Sequence, residues 1–127
     1  MLGHEKIVAF GATTDGQRSA QFYEQTLGLR IQSNDPFAVV LDANNVELRL
    51  QKVERFTPQP FTVLGWQVND LQTVVDSLVR RGVQFERYPW LVQDDRGVWN
   101  APGGARVAWF KDPDGNLLSV AQYPAAG

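Results

Sequence analysis

The segment YPWLVQDDRGVWN, residues 88–100, brings together more chemically capable side chains than any other stretch of this chain. Its aromatic residues Tyr88, Trp90 and Trp99 can stack on a ligand or cover a cleft, because long loops present such rings from a rigid scaffold. They can equally anchor a core or a subunit interface, where tryptophan is enriched. Asp94, Asp95 and Arg96 form a charge cluster. Paired carboxylates serve acid–base chemistry when buried, but adjacent residues on a polar loop seldom share a site, so a solvated loop tip is expected. His4 is the sole histidine and precedes the first expected strand. It leaves no credible base for a Ser/His/Asp constellation. The absence of cysteine excludes disulfides, thiolate metal sites and a cysteine nucleophile. GATTDG and APGGA lack the spacing and the lysine of a phosphate-binding loop.

These side chains need a scaffold, and the composition is that of a globular one. With 127 residues, the chain suits one domain or two small halves sharing a core. It is 43% hydrophobic and 20% charged, with a formal net charge of −2 and no basic tract, so no nucleic-acid partner is expected. No apolar run approaches the roughly 18 residues of a membrane span, so no membrane partner is expected either. MLGHEKIVAF lacks the features of a signal peptide, which makes a cytoplasmic location the expectation.

The pattern of elements repeats. KIVAFGATT reads as a strand, and Asp15 as the N-cap of a helix carrying Ala20, Tyr23 and Leu27 and stopping at Gly28. LRIQS, PFAVVLD and VELRLQK follow as strands, the last two joined by DANN. VERFTPQP is a linker. FTVLGWQVN is again a strand, and Asp70 caps a helix with Leu71, Val74, Val75 and Leu78 on one face, stopped by Gly82. VQFER reads as a strand, residues 88–104 as a long loop, and ARVAWFKD and NLLSVAQY as the final pair. VAFGATTD lies over VLGWQVND without a gap, and DANNVELRL over DPDGNLLSV. The order is strand, helix, strand, strand, strand, twice. Neither half alone has enough surface to bury a core of its own.

That order, with FYEQTLGL in the first helix and KDPDGNLLSV near the end, resembles the vicinal oxygen chelate superfamily. The superfamily includes glyoxalase I, bleomycin-resistance proteins, fosfomycin-resistance enzymes and extradiol dioxygenases. The resemblance implies an α+β fold: one domain of two βαβββ modules, about residues 5–52 and 61–123, joined by linker 53–60, with curved mixed sheets enclosing a cleft. It also implies a homodimer. In metal-dependent members, His and Glu ligands on first and last strands hold a divalent ion with positions open to two substrate oxygens. The matching positions here are Val8, Arg49, Val63 and Ser119. Valine cannot coordinate, arginine carries a fixed positive charge, and serine is a poor lone ligand, so no metal and no cofactor are expected. The DPDG turn then reads as structural, because the downstream position that is Glu in relatives is Ser119.

Strand alternation sets the neighbours of these four positions. Phe10 and Ala12 share a face with Val8, Gly65 and Gln67 with Val63, Glu47 and Gln51 with Arg49, and Leu117 and Ala121 with Ser119. The predicted cleft is mostly apolar with a few polar points, as small organic ligands require. The candidate ligand-binding residues are Phe10, Arg49, Gln67, Trp90, Trp99, Trp109 and Ser119. Arg49 reads either as a forked donor for a carboxylate or phosphonate, or as one half of an ion pair with Glu47. Trp66 belongs to the core, while the face of Trp109 stays open because a bulge near the turn would swap it. Three functions remain open: metal-free binding of a small molecule, a metal-dependent lyase, isomerase or dioxygenase using His4 with Glu5, Glu47 or Glu54, and a scaffold without a ligand.

Overall fold

The computed structural model describes residues 1–125, and the chain divides into two compact units, Met1–Pro58 and a second beginning at Gln59. The first unit opens with a 3-10 turn at Leu2–His4 and continues as β1 (Val8–Thr13), α1 (Gly16–Gln21), β2 (Arg30–Asn34), β3 (Ala38–Ala43) and β4 (Val46–Lys52). Its sheet runs β1-β4-β3-β2, with β1 parallel to β4 and the other pairs antiparallel. Asp15 caps α1 by accepting from the Arg18 amide at 3.1 Å. The Thr13 and Ser19 hydroxyls, both buried, bond at 2.7 Å and tie strand end to helix start. One helix reaching Gly28 is expected from sequence, but the α-helical pattern stops at Gln21. Phe22–Thr26 form a wider π-helical turn in which the Leu27 amide donates to the Phe22 carbonyl five residues back. Gly28 then leaves at φ 80°.

Alternation along β4 buries Leu48 and Leu50 against Leu41 and Val39 of β3, with Ala20 and Tyr23 also in this core. The opposite face carries the row Phe10–Arg49–Val40–Ser33. The β3–β4 turn is Asn44–Asn45, both at positive φ (53° and 71°) as a type I′ turn requires. Asp42 secures it by accepting from the Asn45 amide at 2.8 Å.

The second unit contains β5 (Thr62–Gln67), α2 (Leu71–Arg80), β6 (Trp99–Asn100), β7 (Arg106–Lys111) and β8 (Leu117–Gln122). Its sheet repeats the first, in order β5-β8-β7-β6 with β5 parallel to β8. Asp70 caps α2 through both the amide and the hydroxyl of Thr73, at 3.2 and 2.8 Å. Leu71, Val75 and Leu78 form its buried stripe. The Leu71 amide also donates to Gln122 Oε1 at 2.9 Å, fastening the helix start to β8.

One expected strand is corrected here. VQFER supplies a single bridge, Phe85 to Phe110, supported by the Glu86 amide bonding the Trp109 carbonyl at 2.8 Å. The remaining edge of β7 is paired by Trp99–Asn100, which the sequence reading places in the loop. Two short pieces thus share one strand edge, and residues 86–98 loop out between them. The DPDG turn is held by its own aspartate. Buried Asp112 accepts from the amides of Asp114 (3.0 Å) and Asn116 (2.9 Å) and from the Asn116 side chain (2.8 Å). The α+β fold of two similar modules, each with a four-stranded mixed sheet, is the one the sequence predicts.

Candidate functional site

The second unit gathers the aromatic candidates on one sheet face. β8 places Ser119 in register between Gly65 of β5 and Trp109 of β7. The next row on that face is Gln67–Ala121–Val107–Trp99. The face of Trp109, open in the sequence, is therefore that of Ser119. Trp109 is the hub of the rings: Tyr88 meets it edge-on at 5.7 Å and Trp99 lies tilted at 6.0 Å. Trp90 stacks on the outer side of Tyr88 at 5.0 Å and is 74% exposed. Each such ring pair contributes about 0.5–1.5 kcal/mol beyond area burial. Trp66 lies on the opposite face, half-buried, in register with Val120.

The loop that delivers Tyr88 and Trp90 is held from within. The Gln93 side-chain amide donates to the carbonyls of Glu86 (3.0 Å) and Gly97 (2.8 Å), and its oxygen accepts from the Tyr88 amide (2.8 Å). Asp94 accepts from the amides of Arg96 and Val98, both at 2.9 Å. The buried Gly97 stands at φ 90°, a conformation glycine adopts without strain. Neither Gln93 nor Thr62 is among the residues singled out from sequence. Thr62 accepts a hydrogen bond from the Trp109 indole at 3.2 Å. That contact arises beside a register shift between Thr62 and Leu64, which leaves Val63 as the extra residue of β5. No spacing rule signals either residue.

Polar groups flank the rings. The Ser119 hydroxyl and Gln67 amide have no hydrogen-bond partner among the described residues. Burial, and secondarily the Glu86 carboxylate, pushes the Tyr88 phenol above its ordinary value, so it stays a neutral donor. Glu86 itself pairs with Lys111 at 3.3 Å.

The other candidates lie in the first unit. Phe10 and Arg49 are register neighbours on β1 and β4, and Phe10 is 57% exposed. Arg49 pairs with Glu47 on its own strand at 3.2 Å, with both side chains part-exposed. Val8 and Val63 are exposed on the first strands of their units. The four positions expected from the resemblance to hold a metal thus offer two hydrocarbons, an ion-paired guanidinium and one hydroxyl, a donor set that does not fit a divalent ion. His4, Glu5 and Glu54 are solvent-exposed, and no group of three or more potential ligand side chains capable of holding a metal occurs among the described residues. No helix among those residues is long and apolar enough to cross a membrane.

Comparison with known proteins agrees with this architecture. A family model described as Glyoxalase/Bleomycin resistance protein/Dioxygenase superfamily matches residues 8–120. The uncharacterized protein YraH of Bacillus subtilis (strain 168) is 29% identical over 121 residues, 84% of this chain and 88% of that protein. A glyoxalase/bleomycin resistance protein/dioxygenase from Alicyclobacillus acidocaldarius superposes with a TM-score of 0.73 at 19% identity, over 96% of this chain and 93% of that one. A lactoylglutathione lyase from Agrobacterium tumefaciens gives 0.71 at 14% identity, over 93% of each chain. At those identities the two structures share the fold.

Proposed function

We propose that this chain, which belongs to the Glyoxalase/Bleomycin resistance protein/Dioxygenase superfamily, binds a small organic molecule on the aromatic face of its second unit without using a metal ion. The single observation that carries this reading is the ring cluster of Tyr88, Trp90, Trp99 and Trp109 beside the unpartnered Ser119 and Gln67. Rings in contact over a sheet face give a planar ligand an apolar surface to stack on. Hydroxyl, amide and phenol groups at its margin fix orientation. The neutral phenol of Tyr88 adds no negative charge, while the ring faces attract cationic or electron-poor planar groups. The donor chemistry of Val8, Arg49, Val63 and Ser119 favours binding over metal-dependent catalysis.

The chain acts as a homodimer in this reading. Val8, Phe10 and Val63 leave apolar surface exposed on β1 and β5, which a second copy would bury.

Thermal-shift titration with a panel of planar aromatic and cationic compounds tests the reading, run beside Mn²⁺, Ni²⁺, Zn²⁺ and Fe²⁺. A saturable rise with a planar compound and none with the ions is expected. A rise with an ion, lost on chelation, would instead show a metal site and contradict the metal-free reading. Light scattering of the purified chain tests the dimer.

A further inference from the structure

A second, smaller hollow lies on the other face of the second unit. Along β7, Val107 and Trp109 face the ring cluster, while Arg106 and the buried Ala108 and Phe110 point the other way. Arg106 is in register with Gln122, whose side chain caps α2, so this is the helix side of the sheet. There a hollow of about 110 Å³ opens between α2, the loop tip and β7. A water takes about 30 Å³ in the liquid, so the space suits a ligand of a few heavy atoms.

Its walls are chemically divided. Val75 and Val98, both buried, give it an apolar floor. Two of its charged residues are already committed: Arg96 pairs with Asp76, and Asp94 accepts loop amides. Two others are not. The half-buried residue Arg106, its guanidinium nitrogens open to solvent, makes no side-chain hydrogen bond or ion pair among the described residues, and neither does the exposed Asp95 carboxylate. Arg106 also lowers the Asp70 carboxyl weakly through its charge, but that carboxylate is occupied by Thr73. An unpaired guanidinium is open to an anion that can accept two of its parallel N–H donors. Here a free cation and a free anion line one small space.

We propose that this hollow binds a small zwitterionic α-amino acid, its carboxylate on Arg106 and its ammonium on Asp95. A planar guanidinium meets a carboxylate through two parallel hydrogen bonds, which orients the ligand. Asp95 then accepts from the ammonium at the outer rim, and a short side chain lies over Val75 and Val98. The volume limits the class to the smallest amino acids, such as glycine and alanine. The site is separate from the ring cluster, so it stands or falls independently of the function proposed above.

Amide chemical shifts of the full chain, titrated with glycine and L-alanine, test this. Saturable shifts are expected in residues 94–98 and around Arg106, with tryptophan fluorescence unchanged. Acetate and methylammonium, each carrying half of the charge pattern, should bind about tenfold or more weaker than glycine. Arg106→Gln and Asp95→Asn should each weaken glycine by about tenfold or more. Neither substitution removes a hydrogen bond that holds the fold. No saturable shift up to about 50 mM glycine or alanine would overturn the proposal. So would acetate or methylammonium binding as well as glycine, or unchanged glycine affinity in Arg106→Gln. The wild-type ligand series decides the matter even if a variant folds poorly.

Discussion

A β-carbon added to Gly65 would stand 2.6 Å from the hydroxyl oxygen of Ser119. The two residues are register partners on parallel β5 and β8, and Ser119 in turn opposes Trp109. The missing side chain at Gly65 leaves the space that Ser119 occupies beside the rings. Gly65→Ala should therefore force the Ser119 hydroxyl to turn away, at a cost of up to about 1 kcal/mol at this exposed strand position, the low end of overpacking. Ser119→Ala in the same chain should restore most of it. Urea denaturation of the two single variants and the double variant measures this coupling.

Gln93 is the clasp of the loop. Gln93→Ala removes three hydrogen bonds, two of them from a part-buried amide, and should cost about 1–3 kcal/mol. The effect should be concentrated in residues 86–98. Hydrogen exchange should accelerate there and not in α2. The near-ultraviolet circular dichroism from the Tyr88–Trp90 and Trp99–Trp109 pairs should weaken.

The two repeated turn aspartates should differ in worth. Asp112 is buried and accepts three hydrogen bonds, whereas the part-exposed Asp42 secures its turn through one and pairs with Arg30 near the surface. Asp112→Ala strands two amides and should cost about 3 kcal/mol, and Asp42→Ala about 1 kcal/mol. Thermal denaturation at neutral pH ranks them.

Asp35 and Asp70 give a pH signature. The amides of Phe37 and Ala38 hold the Asp35 carboxyl low, and the hydroxyl and amide of Thr73 hold the Asp70 carboxyl low. Both bind a proton less readily folded than unfolded. Their contribution is present above the unfolded value of about 3.9 and is lost as pH falls through the lower folded one. Melting temperature should fall below about pH 4, and the fall should be shallower in Asp35→Asn with Asp70→Asn.

Much of this fold is written in local signals. Asp15 and Asp70 each precede an apolar helical stripe and each bonds the amide three residues on, so both helix starts are legible. The Asn44–Asn45 and Asp112–Gly115 turns carry the residues that positive φ and buried caps demand. The split edge of β7 is not legible, because Phe85 and Trp99 compete for one strand position and only tertiary pairing assigns each its half. The wide turn after Gln21 likewise keeps helical spacing and hides from periodicity. At the site, alternation puts Gln67 and Ser119 on one face, and the register confirms it. Counting back from Val63 to Thr62 fails at the register shift, so the Thr62–Trp109 bond is not legible. Arg49 makes the ion pair with Glu47 that is one of the two readings its sequence position allows.

Trp109 touches both Tyr88 and Trp99, so it reports directly on the proposed binding face. The most direct measurement is intrinsic tryptophan fluorescence titrated with a broad panel of aromatic and cationic small molecules, in the wild-type chain and in Trp109→Phe. The account predicts saturable quenching by at least one compound, weakened about tenfold or more in the variant. No quenching across the panel, or quenching of equal affinity in Trp109→Phe, would contradict it.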